Sequence, residues 1–297
     1  MNKTKWMKKI KLKFLQIVLI MFVIFFAFPV VLTITNSFMS EDEILVHYGK
    51  ILGSGSDIET ESGYLSDKIE FTLIPTFWSV KQYITLLFLS PDYLSKMWIS
   101  VFLVIPIIFL QLMVSLMSSY AFMRIKNKCS SLIFFSYIIL MLLPFQVTLV
   151  PNYMIAKQLN IYDTYASIIL PAMFSTFGVY FLTKYMKRIP KEIIEAASID
   201  GAGEWVLFRK ICVPLCKSSI ISTGMLIFIE YWNMVEIPLI MLGDSEKYPL
   251  SVYLSEIYDN EISLAFAVAV IYMIPSILIN LLGNDYLVEG ISAYGKR

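Results

Sequence analysis

The residues of this chain that could do chemistry are few. His47 is the one histidine, and no catalytic partner stands near it, so it builds neither a nucleophile–base pair nor a metal set. Cys212 and Cys216 are spaced C-x3-C without a second pair, and Cys129 is remote from both. They read as thiols rather than as a zinc site. Gly53-Ser54-Gly55-Ser56 is followed by Asp57, with no Lys-Ser/Thr, so it is no phosphate-binding loop. No catalytic residue, no metal site and no ATP site of its own are assigned to the chain. Two features remain. Glu230, with Tyr231, Trp232 and Asn233, interrupts a long apolar run. A carboxylate there costs on the order of 2.5–3.5 kcal/mol in a bilayer, so it faces a cavity or a partner, or is protonated. The second feature is Glu195-Ala196-Ala197-Ser198-Ile199-Asp200-Gly201-Ala202, followed by Trp205, Phe208 and Pro214.

The composition says what must position these residues. Hydrophobic residues make up 58% of the 297 and charged residues 16%, with a mean hydropathy of +0.70. Soluble proteins sit near about 45–50% and 25%. An ordinary cytosolic enzyme has no way to bury that much apolar surface. An aromatic content of 15% excludes disorder. The balance of 24 basic against 23 acidic residues removes bulk charge as an argument for nucleic-acid binding.

A bilayer core needs about 20 apolar residues per helix. Six runs qualify: 14–38, 97–123, 129–150, 165–183, 218–242 and 262–282. The expected fold is therefore all-α and polytopic, with six transmembrane helices. Lys3, Lys5, Lys8, Lys9, Lys11 and Lys13 precede the first run, and Arg124, Lys126 and Lys128 follow the second. The stretch 184–217 adds Lys184, Lys187, Arg188, Lys191, Arg209, Lys210 and Lys217. With six spans these all fall on one side. The positive-inside rule makes that side, and both termini, cytoplasmic. The organisation expected is a basic N-terminus at 1–13, a first span at 14–38, an extracytoplasmic loop at 39–96, a core at 97–286 containing the inner loop 184–217, and a cytoplasmic tail at 287–297. In the outer loop a turn is expected at Gly53–Ser56 and a short strand over residues 70–74. Val80, Tyr83, Ile84 and Leu87 predict a short surface helix over 79–88.

In the inner loop, Pro190 suits a helix first turn and Gly201 a helix end. Ile189, Ile193, Ala196 and Ala197 would share one face of the first short helix. A second helix over about 203–213 would put Trp205, Phe208, Ile211 and Cys212 on a face, with Glu204 pointing elsewhere. Small alanines allow close approach of another surface, and Trp205 and Phe208 are anchors of the kind found at interface hot spots.

These residues resemble the EAA loop of ABC-importer permease subunits. The chain around them is similar to the carbohydrate, maltose-type branch of the binding-protein-dependent inner-membrane components. Tyr120-Ala121-Phe122-x-Arg124, Pro144-x-x-Val147-Thr148-Leu149-Val150-Pro151-Asn152, Tyr162-x-Thr164-Tyr165-Ala166, Leu170-Pro171, Trp232-Asn233, Pro238-Leu239 and Gly290-Ile291-Ser292-Ala293 carry the likeness in order. Ser218, Phe145 and Ile99 depart from the residues usual there. The resemblance implies a bacterial-type, multi-pass plasma-membrane subunit that is not itself an enzyme. It implies a sugar importer in which ATP and Mg are held by a separate ATPase dimer. The further partners implied are a second permease subunit and an extracytoplasmic solute-binding protein, with membrane lipid around them and no nucleic acid. By position, Glu195, Ala196, Ala197, Asp200, Gly201, Ala202, Trp205, Phe208 and Pro214 would couple to the ATPase. Two readings of Glu230 stand: it lines a solute path with Tyr231, Trp232 and Asn233, or it bonds a neighbouring helix. The alternative class is an ion-gradient-driven secondary transporter. That class is expected to show internal repeats and paired intramembrane charges.

The charge asymmetry makes a prediction about orientation. A cysteine placed at position 57 should react with an impermeant maleimide on intact cells, and one at position 204 should not. The reverse pattern would invert the topology.

Overall fold

The computed structural model describes residues 3–40, 43–44, 47, 74–255 and 262–292. Every regular element among them is helical. In order these are α1 (Lys3–Asn36), α2 (Lys81–Ile84, continued by a π-helical turn, Thr85–Leu89), α3 (Pro91–Arg124), α4 (Lys128–Met141), α5 (Phe145–Gln158), α6 (Ala166–Ala172), α7 (Thr176–Met186), α8 (Lys191–Ile199), α9 (Glu204–Leu215), α10 (Lys217–Trp232), α11 (Glu236–Met241), α12 (Leu250–Ser255) and α13 (Ile262–Ser292). The expected turn at Gly53–Ser56 lies outside the described residues, as does the expected strand except for Ile74.

Four stretches are long and apolar enough to cross a membrane: Ile10–Asn36, Asp92–Arg124, Ala166–Met186 and Leu264–Val288. The pairs α4–α5, bent by 103°, and α9–α10, bent by 76°, raise the number to six if each is one span. Three runs that read as straight spans are thus interrupted. Pro144 caps α5 with extended backbone (ψ 138°), which ends the third run at 142–144. Ser175 is extended (ψ 124°), and its hydroxyl accepts the Gly178 N–H at 3.2 Å, restarting the fourth as α7. Residues 233–235 separate α10 from α11 in the fifth. Hydrocarbon offers no hydrogen bonds, so such breaks persist only where the freed groups find partners. Leu142 and Leu143 donate to Ile139 and Leu140 (3.0 and 3.1 Å), and Phe174 donates to the Pro171 carbonyl (3.2 Å).

The chain forms two compact units, residues 1–93 with 256–274 and residues 94–255 with 275–297. In the first, α1 presents Phe14 to Val31 largely exposed, as a lipid-facing helix must. Met39 and Ile44 are buried with Phe266 against them. The Glu43 carboxylate accepts the Thr76 and Phe77 N–H groups at 2.8 and 3.4 Å, and Gln82 Nε2 donates to the Met39 carbonyl at 2.5 Å. The short helix forms where the spacing placed it, but its inward face differs. Gln82 and Leu86 are buried, one turn apart, while Val80 and Ile84 are exposed. Gln82 is buried with its Nε2 on the Met39 carbonyl, a pairing that an apolar pattern does not register.

In the second unit α3 touches two apolar clusters. Leu103 and Ile107 join Ala156, Ile168, Ala172, Ile227, Met234, Met241 and Leu242. Met123, at its other end, joins Met186, Ile194, Leu207, Cys212 and Cys216. Beside the first cluster, Asp163 adopts φ 61° and gathers the loop that follows α11. Its carboxylate accepts Gly243 N–H at 2.9 Å and Lys247 Nζ at 2.7 Å. The Lys247 hydrogen bond, then the Gly243 N–H, holds that carboxyl below the usual aspartate range.

Between the clusters α3 and α7 approach closely. Gln111, Ser115 and Ser119 repeat every fourth residue on the buried face of α3, and Ser119 Oγ donates to the Val179 carbonyl at 2.9 Å. A Cβ on Gly178 would stand 2.7 Å from Ser115 Oγ. Small residues permit this packing in lipid, where no hydrophobic force presses helices together. Gly178→Val should therefore cost about 1–3 kcal/mol through overpacking, read as a lower unfolding temperature in detergent. Ser115→Ala in the same chain should recover part of the loss. No change in the melting temperature of Gly178→Val would refute the close contact.

Candidate functional site

The segment 184–217 folds as helix, turn, helix. Pro190 supplies the extended residue before α8 and Glu192 sits in its first turn, where a negative charge suits the helix dipole. The helix ends in a doubly bonded turn. Ala202 N–H reaches the Ala197 carbonyl at 3.0 Å, and Gly201 N–H reaches that of Ser198 at 3.1 Å. Gly201 has φ 84°. This is the Schellman arrangement, and its left-handed residue favours glycine. Nothing lies within 4 Å of where a Cβ would sit on Gly201, so backbone conformation alone demands the residue.

Beneath the turn is the second apolar cluster. Ile194 enters it fully, and Ile189, Ala197, Ala202 and Ile211 pack around its edge. The sequence pattern put Ile193 on this face; it is exposed, and Ile194 takes the place. In α9 the inward residues are Leu207 and Cys212, followed by Cys216. Leu207–Cys212 is wound as a π-helix, one residue wider per turn. Pro214 lacks the N–H that would close an α-turn on Lys210, and this widening shifts the face. Phe208 is half-buried, its ring 5.3 Å from Tyr120 and 5.4 Å from Trp205. Trp205 is 60% exposed, and Glu195, Ala196, Asp200 and Pro214 are exposed too. The loop thus offers a carboxylate, small side chains and one large ring on its outer surface. Cys212 and Cys216 serve as small apolar side chains beneath it.

Glu204 has a role that sequence reasoning missed. It does not point away. Its carboxylate takes two bonds from Arg124, one of them Nε–H at 3.0 Å, and accepts the Tyr120 hydroxyl at 2.5 Å. The forked guanidinium matches a carboxylate well. The start of α9 is thereby fastened to the end of α3. The Arg124 guanidinium, and then the Tyr120 hydroxyl, hold the Glu204 carboxyl below the usual glutamate range. The signal was present in sequence, since Tyr120 and Arg124 stand four apart on one helix face and both seek a carboxylate.

The remaining candidates surround the break after α10. Glu230, Tyr231, Asn233, Met234 and Glu236, with Phe145, line a cleft of about 320 Å³. Asn233 caps α10 and donates its amide to the Ile229 carbonyl at 2.7 Å. Trp232 does not belong with them. It is 2% exposed and stacked on Phe228 at 5.3 Å. Residues 230 and 232 lie about 200° apart on a helix, so they face opposite ways.

Interrupted apolar spans, a helix–turn–helix seated on a buried cluster and a cleft holding Glu230 and Asn233 at a break between helices describe a polytopic membrane protein. Residues 71–291 match the family of binding-protein-dependent transport system inner membrane components, and the chain belongs to that family. Its relatives include the arabinooligosaccharides transport system permease protein AraQ of Halalkalibacterium halodurans, 28% identical over 68% of this chain and 72% of the relative. They also include the sn-glycerol-3-phosphate transport system permease protein UgpE of Brucella melitensis, 28% identical over 66% and 71%. In fold the chain is similar to one in the crystal structure of a bacterial ABC transporter involved in the import of the acidic polysaccharide alginate. The TM-score is 0.78 at 17% identity, over 96% of this chain and 98% of that one. The chain is thus an inner-membrane permease component that works with other importer subunits and is not itself an enzyme. Nothing in these likenesses supports the ion-gradient alternative.

The Arg124–Glu204 pair makes a measurable prediction. Both side chains are more than a third exposed or close to it, so the pair is worth only about 1 kcal/mol. A double-mutant cycle of Arg124→Ala and Glu204→Gln should return a coupling energy of that size. The folded-state pKa of Glu204 is depressed, so the contribution is complete above the unfolded value of about 4.3. It should disappear as pH falls through the lower, folded value. Zero coupling at pH 7 would contradict the geometry.

Proposed function

We propose that this chain is one of two permease subunits in an ATP-driven importer of a sugar or oligosaccharide delivered by an extracytoplasmic binding protein. In this reading the 184–217 loop docks on a cytoplasmic ATPase dimer. The observation that carries it is the Gly201 turn. It holds two short helices on a buried seat while leaving Glu195 and Trp205 outward. Glu195 contacts the ATPase and the exposed Ala196 lets α8 approach it closely, Asp200 and Gly201 make the turn, Ala197 and Ala202 seat that turn on the buried cluster, and Trp205, backed by Phe208, is the anchor. Pro214 sets the winding of α9. ATP and Mg bind the ATPase, and its closure pulls the loop and so the spans attached to it. Glu230, Tyr231 and Asn233 line the solute path at the break between α10 and α11, where hydroxyl-rich solutes meet acceptors and an amide. The sugar reading rests on the arabinooligosaccharide and alginate transporters among the similar proteins.

The experiment measures solute uptake and ATPase recovery by pull-down from membranes holding equal amounts of each variant. Gly201→Val should strain the turn by about 1–3 kcal/mol and swing α9 out of place. Glu195→Ala should lose a charge-assisted contact of roughly 1.5–3 kcal/mol. Both should leave the spans inserted while uptake and ATPase recovery fall. Full uptake and full recovery in both variants would remove the loop from the coupling path.

A further inference from the structure

A second cleft, of about 930 Å³, opens between the end of α3, the start of α4 and the junction of α7 with α8. Five cations line it, Arg124, Lys126, Lys128, Lys187 and Lys191, against one carboxylate, Glu195. Arg124 is engaged by Glu204. Among the described residues, none of the four lysines has a carboxylate within ion-pairing distance. Lys187 is drawn inward over the Phe134 ring, 4.7 Å from its centroid. Burial, then its neighbours Lys184 and Lys126, lowers the proton affinity of its ammonium. Like charges gathered without counter-charge are destabilising, and a bound anion would reverse the sign of that energy.

The position in the fold indicates which anion. The cleft lies where two membrane helices meet the cytoplasmic surface expected from the basic loops. Phe122 and Phe134 form part of its wall. Leu132, Phe135 and Ile139 of α4 and Leu142 just past its end share one helix face, all at least half exposed, and at about 100° per residue that face lies beside the one carrying the cleft residues Ser130, Ser131 and Phe134. A stripe that begins one turn above a cationic pocket has the shape needed for acyl chains below a headgroup. Basic pockets between membrane helices on the cytoplasmic side bind anionic lipid heads.

We propose that this cleft is a binding site for an anionic phospholipid, its phosphate held by Lys126, Lys128 and Lys187 and its acyl chains laid along α4. The cleft borders the surface proposed for the ATPase, with Glu195 at the edge of both, and its test is made on the chain alone, so it does not depend on the ATPase reading. The lipid steadies the α3–α4 turn beside the Arg124–Glu204 clasp.

The full chain in detergent is titrated with phosphatidylglycerol and, separately, with phosphatidylcholine of the same acyl chains, and bound lipids are counted by native mass spectrometry. The wild type should retain one more phosphatidylglycerol than Lys126→Glu/Lys187→Glu, with affinity at least tenfold higher. Phosphatidylcholine should not distinguish the two. Lys126→Arg/Lys187→Arg should behave as the wild type, and equal helical circular dichroism shows that all variants fold. Equal phosphatidylglycerol retention by the wild type and the glutamate variant overturns the proposal. So does displacement of the lipid by inorganic phosphate at constant ionic strength, which would make the ligand a free anion. Loss of the extra lipid when the other importer subunits assemble on the chain also overturns it, since a protein would then occupy the cleft.

Discussion

The apolar seat under the inner loop is the contact on which the rest of the structure depends. Met123 of α3, Met186 of α7 and Cys216, just before α10, meet Ile194 of α8 and Leu207 and Cys212 of α9 in one closed cluster. Short helices of 9 and 12 residues are not stable by themselves. They exist because their inward residues are removed from water here. The same burial ties three membrane helices to one surface feature, so a displacement of the loop cannot be absorbed locally. Close-packed interiors transmit strain rather than dissipate it.

The polar contacts define how that seat moves. Glu204 with Tyr120 and Arg124 fixes the near end of α9 to α3, and the Gly201 turn fixes α8 to α9. At the other end of the second unit, Asp163 and Lys247 tie the loop after α11 to the chain before α6. Charge-assisted bonds thus pin the start of α9 and the loop after α11, and apolar packing holds the elements between them. The interruptions at 142–144, 173–175 and 233–235 are the places left to bend. The cleft that holds Glu230 and Asn233 coincides with the last of them.

Much of this was legible in the sequence. The six apolar runs, the inner loop and the glycine that ends α8 follow from length, charge and one residue of unusual backbone freedom. The breaks were less legible, because hydropathy averages over a window and does not notice that Ser175 prefers to cap a helix. The register of α9 was misread for a local reason. Pro214, just after the segment, leaves the Lys210 carbonyl without its α-helical donor, the helix widens, and a periodicity of about 3.6 then names the wrong inward side chain. Trp232 was grouped with Glu230 by adjacency in sequence, although neighbours in a helix diverge by about 100°. Glu204 was overlooked because its partners lie 80 and 84 residues away. The i, i+4 spacing of Tyr120 and Arg124 shows that a carboxylate is wanted there, but not which distant residue supplies it.

The empty space around Gly201 has a stereochemical consequence. Its φ of 84° belongs to the half of conformational space that a right-handed amino acid occupies without strain. No atom lies within 4 Å of where an L-residue's Cβ would sit, so the φ, and not a lack of room, is what bars an L side chain there. The position selects for chirality and not for smallness. Glycine is the genetically encoded compromise, achiral where the turn wants a mirror image. A D-residue takes this φ without strain and has fewer unfolded conformers than glycine, so the backbone here favours a stereochemistry that none of the twenty encoded residues supplies.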